Sequence, residues 1–243
     1  MTRSALRRVL GSWRRRVYDV ASSRRRRHRF LDEIAQARRT GLPVKVNLGA
    51  GRRGLPGWVN TDISWPCPAY LDATAPWPVP TSSLRFVYGD NMIEHLTLPQ
   101  SRDLLRQAYV ALAPGGVIRL STPDVEASAR SYLENGDLAR LGMARNAELG
   151  HVLEHPVQLL AEVYVGAEHY LGFCYDYAAL AAELGAVGFE VHRCRAGESS
   201  HPELQGLEYR MHPAEVATQL CVEGTKPDED ATTSRRPDPR AGP

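Results

Sequence analysis

The residues of this chain with the clearest chemical potential lie in the segment VNLGAGRRGLPGWVNTDI, residues 46–63. Its glycines follow the spacing Gly49-x-Gly51-x-x-Gly54, which is typical of loops that hold a dinucleotide. Without side chains, such glycines let the backbone approach a ligand and take positive φ angles. Because short glycine patterns also occur in ordinary turns between a strand and a loop, the spacing alone leaves both interpretations open.

The distance from this loop to the next acid narrows the choice of ligand. Asp62 follows Gly51 by 11 positions, whereas a dinucleotide fold places its ribose-binding acid about 20 residues on, after a full helix. Pro56 and Gly57 lie in that interval, so it has no room for the long helix whose N-terminus would hold a pyrophosphate. A ligand with a ribose and no phosphate needs no such helix. S-adenosylmethionine is a ligand of this kind.

Alternating strand and helix patterns surround the loop and would position it. Short apolar runs predict strands, namely KVNLG, RFVYG, VIRLST, FEVHRC and EVATQLCVEG. An amphipathic helix is predicted over residues 99–112, and a second helix after a capping Asp176. This order predicts an α/β sandwich with a mostly parallel sheet, whose ligand lies beyond the carboxyl ends of the strands.

Charge divides the chain into a basic arm, a body and a tail. Residues 1–40 hold 13 arginines and three acidic residues, a net charge of +10, so the remainder carries −8 of the total of +2. In the arm, apolar residues recur at helical spacing between arginines and predict an amphipathic helix: Leu6, Val9, Leu10, Trp13 and Val17. We place the body at residues 41–224 and predict a disordered tail at 225–243, where large apolar residues are almost absent.

The composition excludes several other classes of protein. With 43% hydrophobic and 24% charged residues, the chain is typical of soluble globular proteins, and no apolar run approaches the roughly 18–20 residues of a membrane span. Arginines interrupt the N-terminal segment, so no secretory signal is predicted. The four cysteines form no Cys-x-x-Cys pair, which favours reduced thiols in a cytoplasmic protein. His151 and His155 have helical i, i+4 spacing but lack a third ligand, so we predict no metal site.

Five segments resemble, in this order, those of class I S-adenosylmethionine-dependent methyltransferases: VNLGAG, GWVNTDI, FVYGDNMIEHL, LLRQAYVALAPGGVIRLSTPDVE and GESSHPELQGLEYR. The chain is most similar to a small bacterial, type 11-like group with a Leu-Gly-(Cys/Ala)-Gly loop, a Gly-Trp-x-Asn-x-Asp segment and a Glu-His-Leu motif. The resemblance covers about residues 44–224. It implies a three-layer sandwich with a Rossmann-like sheet of seven strands, the last of them antiparallel.

The resemblance also implies which residues bind S-adenosylmethionine: Asn47, Gly49, Ala50, Gly51, Asp62, Ile63, Asp72, Asp90 and Asn91. The glycine loop would lie against the methionine part of the ligand. Asp62 would accept hydrogen bonds from both ribose hydroxyls, while Ile63 would pack on the adenine and Asp72 would lie near its amino group. Asp90 and Asn91 would line the pocket beneath the sulfonium.

Two histidines are the candidates for proton removal. Methyl transfer from a sulfonium mainly requires alignment of the acceptor and, if the acceptor is a hydroxyl, a base. By motif position His169 is the first candidate, and His95 in MIEHL is the second; a structural hydrogen bond to the backbone is the alternative role for His95. The expected activity is O-methylation of a small-molecule or glycan-like acceptor.

A rival hypothesis gives the main role to the basic arm and treats the body as a module that binds S-adenosylmethionine. An arm that reads RNA should interleave aromatic residues with its arginines, so that bases can stack. Residues 1–40 offer only Trp13, Tyr18 and Phe30, which disfavours nucleic acid and favours peripheral contact with an anionic membrane surface. A merely solvated helix remains an equal alternative. The segment GESSHPELQGLE is either a loop on the substrate side or a simple connection.

Overall fold

The structure, a computed structural model, describes residues 22–161 and 171–228. Its strands are β1 (Lys45–Leu48), β2 (Val59–Asn60), β3 (Leu84–Asp90), β4 (Leu112–Pro123), β5 (Glu190–Cys194) and β6 (Gln219–Thr225). Its helices are α1 (residues 22–39), α2 (Leu98–Ala111), α3 (Val125–Glu134), α4 (Asp137–Glu148), α5 (Val157–Ala161), α6 (Tyr177–Val187) and α7 (Pro213–Ala217). Turns of 3₁₀ helix lie at Ile93–His95 and Pro202–Leu204.

The strands form one mixed sheet in the order β2-β1-β3-β4-β6-β5. Strands β1 to β4 pair in parallel, whereas β6 runs antiparallel to both β4 and β5. The α/β class, the mostly parallel sheet and the antiparallel last strand are therefore confirmed. The chain passes from β1 outward to β2 and then back to β3, so the strand order reverses beside β1, where an open α/β sheet has its ligand crevice.

The prediction of seven strands is wrong for the described part of the chain, whose sheet has six. Residues 61–83, between β2 and β3, contain five prolines. Proline has no backbone N–H and cannot donate to a sheet ladder. This segment accordingly pairs with itself only through an isolated bridge between Thr61 and Ala69.

The two faces of the sheet are covered differently. The larger core cluster joins strand residues such as Val46 and Ile118 to Phe30 of α1, Leu104 of α2 and Leu180 of α6. A smaller cluster on the opposite face contains Trp58, Phe86, Tyr88, Val117 and Leu204. Among the described residues, loops and one 3₁₀ turn supply that cover. The second outer layer of the predicted three-layer sandwich is therefore irregular rather than helical.

Local sequence signals set several helix boundaries as predicted. Asp176 accepts a hydrogen bond from the Ala179 N–H at 2.8 Å and caps α6. Pro99 lies in the first turn of α2. The idea that His151 and His155 share a helix face is wrong, because both lie in the loop between α4 and α5. Gly150, with φ of +87°, follows Leu149, the C-cap residue of α4, and precedes this loop.

The helix α1 belongs to the packed structure, although its residues lie within the predicted basic arm. Phe30 is 1% exposed and Ile34 is 4% exposed, and both join the larger core cluster. The amphipathic helix predicted around Leu6–Val17 and most of the predicted tail lie outside the described residues. The division of the chain at residues 40 and 224 stays a prediction, but residues 22–39 contribute to the core.

Two further features bear on the sequence predictions. All four cysteines are free, two of them buried. In the described ranges, no helix has the length and apolar character that crossing a bilayer requires.

Candidate functional site

The glycine loop adopts a backbone that only glycine accommodates easily. Gly49 and Gly51 follow β1 with φ angles of +62° and +52°, in the left-handed region that side chains disfavour. A Cβ atom at Gly49 would also collide with the Met92 side chain. The loop is therefore built for close approach at its backbone, which is the first requirement of a ligand cradle.

Asp62 closes this loop onto the end of β2. Its Oδ2 atom accepts a hydrogen bond from the Gly51 N–H at 2.9 Å, and its Oδ1 atom accepts one from the Ser64 N–H at 2.7 Å. An ionised carboxylate has about four acceptor positions, so both oxygens retain capacity for a ligand's hydroxyl groups. The pairing that the sequence interval suggested, between the glycine loop and Asp62, is thus present in space.

A buried arginine from α1 holds the chain that follows Asp62. The Arg26 guanidinium donates hydrogen bonds to the carbonyl oxygens of Asp62 at 2.9 Å and Ser64 at 2.7 Å. It also donates to the carbonyls of Ile63 at 3.2 Å and Cys67 at 2.9 Å. Because four carbonyl groups converge on one rigid donor fork, Arg26 fixes the loop on which the Asp62 carboxylate is carried.

A cleft of about 580 Å³, here called the loop cleft, opens between the glycine loop and the end of β3. Six of the predicted cofactor residues line it: Asn47, Gly49, Ala50, Gly51, Asp90 and Asn91. Leu207, Tyr209 and Arg210 line its other side. Asp62 lies beside the cleft through its bond to Gly51.

The predicted adenine contacts lie outside this lining. Ile63 is 54% exposed. The Asp72 carboxylate accepts hydrogen bonds from the N–H of Thr74 at 3.0 Å and from its hydroxyl at 2.7 Å. Their roles toward a ligand remain predictions.

The carboxyl end of β3 carries a polar junction. Asp90 accepts hydrogen bonds at Oδ1 from the Ser121 hydroxyl, from Asn91 Nδ2 at 2.7 Å and from Gln219 Nε2 at 3.2 Å. Burial raises the pKa of Asp90 above its usual range, although the bonds from Ser121 and Asn91 oppose the shift. Asn91 has φ of +48°, an unusual conformation for a residue with a side chain and one found preferentially at functional sites.

A second cavity, here called the helix cavity, has a volume of about 240 Å³. Its walls come from α3, α4, α5 and α7 and from the ends of β4 and β6. It shares two lining residues with the loop cleft, Asn91 and Arg210. Arg210 Nη1 donates to Asn91 Oδ1 at 2.7 Å, so one hydrogen-bonded pair forms the boundary between the two spaces.

A buried ion-pair network holds the loop that supplies Arg210. Arg119 in β4 donates to Glu208 Oε1 at 2.7 Å and to Glu223 Oε1 at 2.6 Å. Glu208 also accepts from the Gly197 N–H at 2.7 Å, which ties both ends of the loop 195–210 to the sheet. Burial alone would lower the pKa of Arg119, but the hydrogen bond and charge of Glu208 outweigh it and raise this pKa.

Sequence reasoning missed Arg119, Glu208 and Arg210. The available signal was a charged residue, Arg119, inside the apolar run VIRLST, since a charge in a buried strand requires a partner. The segment GESSHPELQGLE, left open between a substrate-side loop and a connection, leads directly into the residues that line the loop cleft.

Of the two candidate histidines, His95 lies within the described residues and His169 does not. His95 is exposed and is absent from the described lining of both cavities. Its neighbour Glu94 is buried instead, accepts from the Thr122 hydroxyl at 3.1 Å, and has a pKa that burial raises to about 7. His169 lies outside the described residues. Within the described ranges, no group of three or more potential metal ligands converges.

No family model and no curated protein sequence matches this chain. Similar solved structures include the methyltransferase domain of a citrinin polyketide synthase, with 13% identity and a TM-score of 0.47 over 78% of this chain and 48% of that one. A possible histamine N-methyltransferase from Thermotoga maritima has 18% identity and a TM-score of 0.47, over 87% and 99% of the two chains. An S-adenosylmethionine-dependent methyltransferase from Mesorhizobium loti has 17% identity and a TM-score of 0.44, over 79% and 96%.

The chain spans about half the length of two of the solved structures, 48% of the citrinin polyketide synthase domain and 49% of the CurJ carbon methyltransferase. At these identities and TM-scores the likeness alone assigns no activity.

Proposed function

We propose that this protein is an S-adenosylmethionine-dependent methyltransferase that methylates an oxygen atom of a small, hydroxyl-bearing acceptor. The observation that carries the proposal is the meeting of two cavities at Asn91 and Arg210. One cavity has a glycine cradle with a carboxylate beside it, and the other is a small space lined by both polar and apolar side chains. Two ligands bound in these spaces would face each other across Asp90 and Asn91, as a group transfer requires.

The glycine loop and the adjacent Asp62 suit an adenosine-type cofactor. Asp62 keeps acceptor capacity for a ribose diol next to Gly51, and the loop leaves no space for side chains at Gly49. S-adenosylmethionine supplies a methyl group on a sulfonium sulfur, and this sulfur keeps the electron pair of the carbon–sulfur bond when the methyl carbon leaves.

Asp90 is our candidate for the base. Its three hydrogen bonds from neighbouring side chains all reach Oδ1, which leaves Oδ2 to take a proton in the loop cleft. As the acceptor oxygen bonds to the methyl carbon, its proton passes to Asp90 Oδ2. A carboxylate with a raised pKa is better matched to this task than an ordinary one. Asn91 and Arg210 orient the acceptor at the boundary between the cavities.

Replacing Asp62 with asparagine tests the cofactor site. Asparagine keeps the shape of the side chain but loses the charge, and each charge-assisted hydrogen bond to a ribose hydroxyl contributes about 1.5–3 kcal/mol. We expect the dissociation constant of S-adenosylmethionine to rise at least about tenfold in calorimetry. The control is Asp103→Asn on the exposed face of α2, which should bind as the wild type does. Tight binding of NAD to the wild type, or unchanged affinity in Asp62→Asn, would contradict the proposal.

The Arg26 contacts predict that the two halves of the basic arm behave differently. Replacing Arg26 with methionine removes the donors that hold the carbonyl groups of the Asp62 loop. If the less ordered loop reduces the free energy of cofactor binding by about 1 kcal/mol, the affinity weakens about fivefold. Truncation of residues 1–21 keeps Arg26 and should change the affinity for S-adenosylmethionine by less than about twofold. Calorimetry on both variants measures this contrast.

Arg29→Met is the matched control on the same helix, because Arg29 is exposed and bonds only to Glu33 within the described residues. Equal effects of Arg26→Met and Arg29→Met would show that general charge, not the carbonyl contacts, governs affinity. Contact of residues 1–40 with an anionic membrane remains a separate proposal. It predicts that the full chain sediments with anionic vesicles at low salt and that removal of residues 1–40 abolishes this sedimentation.

A further inference from the structure

The helix cavity contains buried polar atoms that have no hydrogen-bond partner among the described residues. Ser128 Oγ, Arg145 Nε and Gln219 Oε1 are all inaccessible and make no hydrogen bond among the described residues, and all three residues line the cavity. Native proteins satisfy nearly all buried polar groups, so such atoms point to a partner that binds there. These three atoms include both hydrogen-bond donors and acceptors. A ligand that pairs with all of them must therefore also offer both.

The lining combines hydrogen-bonding side chains with a larger area of apolar surface, which suits a ligand with both hydroxyl and aliphatic C–H groups. Nine of the fourteen described lining residues have a side chain that forms hydrogen bonds, and none of the fourteen is aromatic. A hydroxyl donates and accepts at once, which matches the Ser128 hydroxyl and the acceptor oxygen of Gln219. At about 240 Å³, the space falls below the usual ~300–1,000 Å³ of ligand pockets. It fits a single saturated ring that carries several hydroxyls.

The charge of the cavity favours an acid. Arg145 is compensated, since its guanidinium lies 3.2 Å from Glu148 and 3.4 Å from Glu215. Arg210 bonds to Asn91 and Tyr209 but forms no ion pair with a carboxylate in the described part of the chain. Among the described lining residues, Arg210 therefore offers a guanidinium group that is not already paired with a carboxylate. Such a group attracts a carboxylate and repels an ammonium group.

We propose that the acceptor is a sugar acid of one ring, in the class of the uronic acids, whose carboxylate binds Arg210 while its hydroxyls bind Ser128, Gln219 and Arg145. This inference rests on the proposed function and names its substrate class. One hydroxyl at the boundary with the loop cleft loses its proton to Asp90 and receives the methyl group, and the carboxylate is unchanged. The product is a methyl ether of the sugar acid.

The test compares three sugars of matched ring size that differ in charge: glucuronate, glucose and glucosamine. With the full chain and S-adenosylmethionine, methylated sugar and S-adenosylhomocysteine are measured by mass spectrometry. We expect kcat/KM for glucuronate to exceed that for glucose by at least about tenfold, the contribution of one charge-assisted hydrogen bond, with glucosamine the poorest acceptor. Calorimetry without cofactor should show the same order of affinity.

The variant Arg210→Gln tests whether Arg210 causes the preference for glucuronate over glucose. It should reduce the ratio of glucuronate to glucose to within about threefold, since one charged hydrogen bond is lost. The matched control is Arg140→Gln on α4, which removes an exposed arginine paired with Asp137 and should keep the ratio. Thermal unfolding, which should stay near that of the wild type, shows that Arg210→Gln is folded.

Three results would overturn the sugar-acid assignment. The first is that glucose or glucosamine is used as well as glucuronate, and the second is that none of the three sugars is methylated. The third is an Arg210→Gln variant that loses affinity for S-adenosylmethionine but keeps the preference for glucuronate. The last would assign Arg210 to the cofactor. Failure of the wild type to bind S-adenosylmethionine at all is a different outcome, since it removes the proposed function itself. Cofactor binding that depends on Asp62, with no sugar methylated, defeats the substrate class alone.

Discussion

Replacing Asp90 with asparagine should lower turnover by about 10²–10⁴-fold, the usual contribution of a positioned base. The substitution is close to isosteric, and the asparagine oxygen can still accept the bonds that Ser121 and Gln219 donate to Asp90 Oδ1. What it removes is the second carboxylate oxygen, which would take the proton. Single-turnover measurements of S-adenosylhomocysteine formation at saturating S-adenosylmethionine give the rate, so that any change in cofactor affinity, which calorimetry measures separately, does not enter it.

The pH dependence provides an independent readout of the same assignment. Only ionised Asp90 can accept a proton, and burial raises its pKa. Turnover should therefore be constant at high pH and fall as the pH drops through this raised pKa, above the usual range of an aspartate. Glu94 is the group that could imitate this behaviour, because burial raises its pKa to about 7. The control Glu94→Gln should keep the fall in activity at low pH if Asp90 is the base.

The opposite results would redirect the mechanism. Retention of more than about a third of wild-type turnover by Asp90→Asn, where a base should contribute at least a hundredfold, would leave alignment or another group to carry the reaction. His169 is the predicted alternative, and His169→Gln is the variant to measure next. If Glu94→Gln no longer loses activity at low pH, then Glu94 is the group whose protonation lowers the turnover.

The sequence predicted those parts of the site that depend on short intervals. The relation between Gly51 and Asp62 spans 11 positions, and the local pattern of strand, glycine loop and strand was enough to bring them together. Asp90 and Asn91 were predicted from the resemblance, and the fold explains where they lie. Asp90 ends β3 and Asn91 follows it, and the carboxyl ends of parallel strands lie at one edge of the sheet.

The parts that were missed depend on contacts between distant residues. Arg26 belongs to a run of arginines, and composition gave no sign that one of them would reach the carbonyl of Cys67, 41 positions away. The partners of Arg119 lie 89 and 104 positions along the chain. The number of strands was overestimated because the resemblance outweighed the prolines of residues 61–83, whose missing N–H groups prevent a ladder.

Replacing Arg119 with methionine should give the largest loss of stability. Arg119 and Glu208 have fully buried side chains, and that of Glu223 is 6% exposed. Removal of the guanidinium leaves two carboxylates without their counter-charge, and breaking a buried pair in this way costs about 3–5 kcal/mol. Urea unfolding should show a lower midpoint with an unchanged slope. The matched control, Arg102→Met, removes an arginine from an exposed pair with Glu183 and should change the midpoint far less.

A combined variant separates the charge network from simple packing. If uncompensated carboxylates cause the loss, then Arg119→Met together with Glu208→Gln and Glu223→Gln should recover a substantial part of the stability, because no buried charge remains. Recovery of stability should not restore activity, since the loop 195–210 also depends on the bonds that Arg119 donates to the backbone of Arg195 and Glu198. We expect weaker binding of the acceptor, because this loop leads into Arg210. A triple variant as unstable as Arg119→Met would assign the loss to packing around β4, and a fully active triple variant would show that Arg210 is positioned without the network.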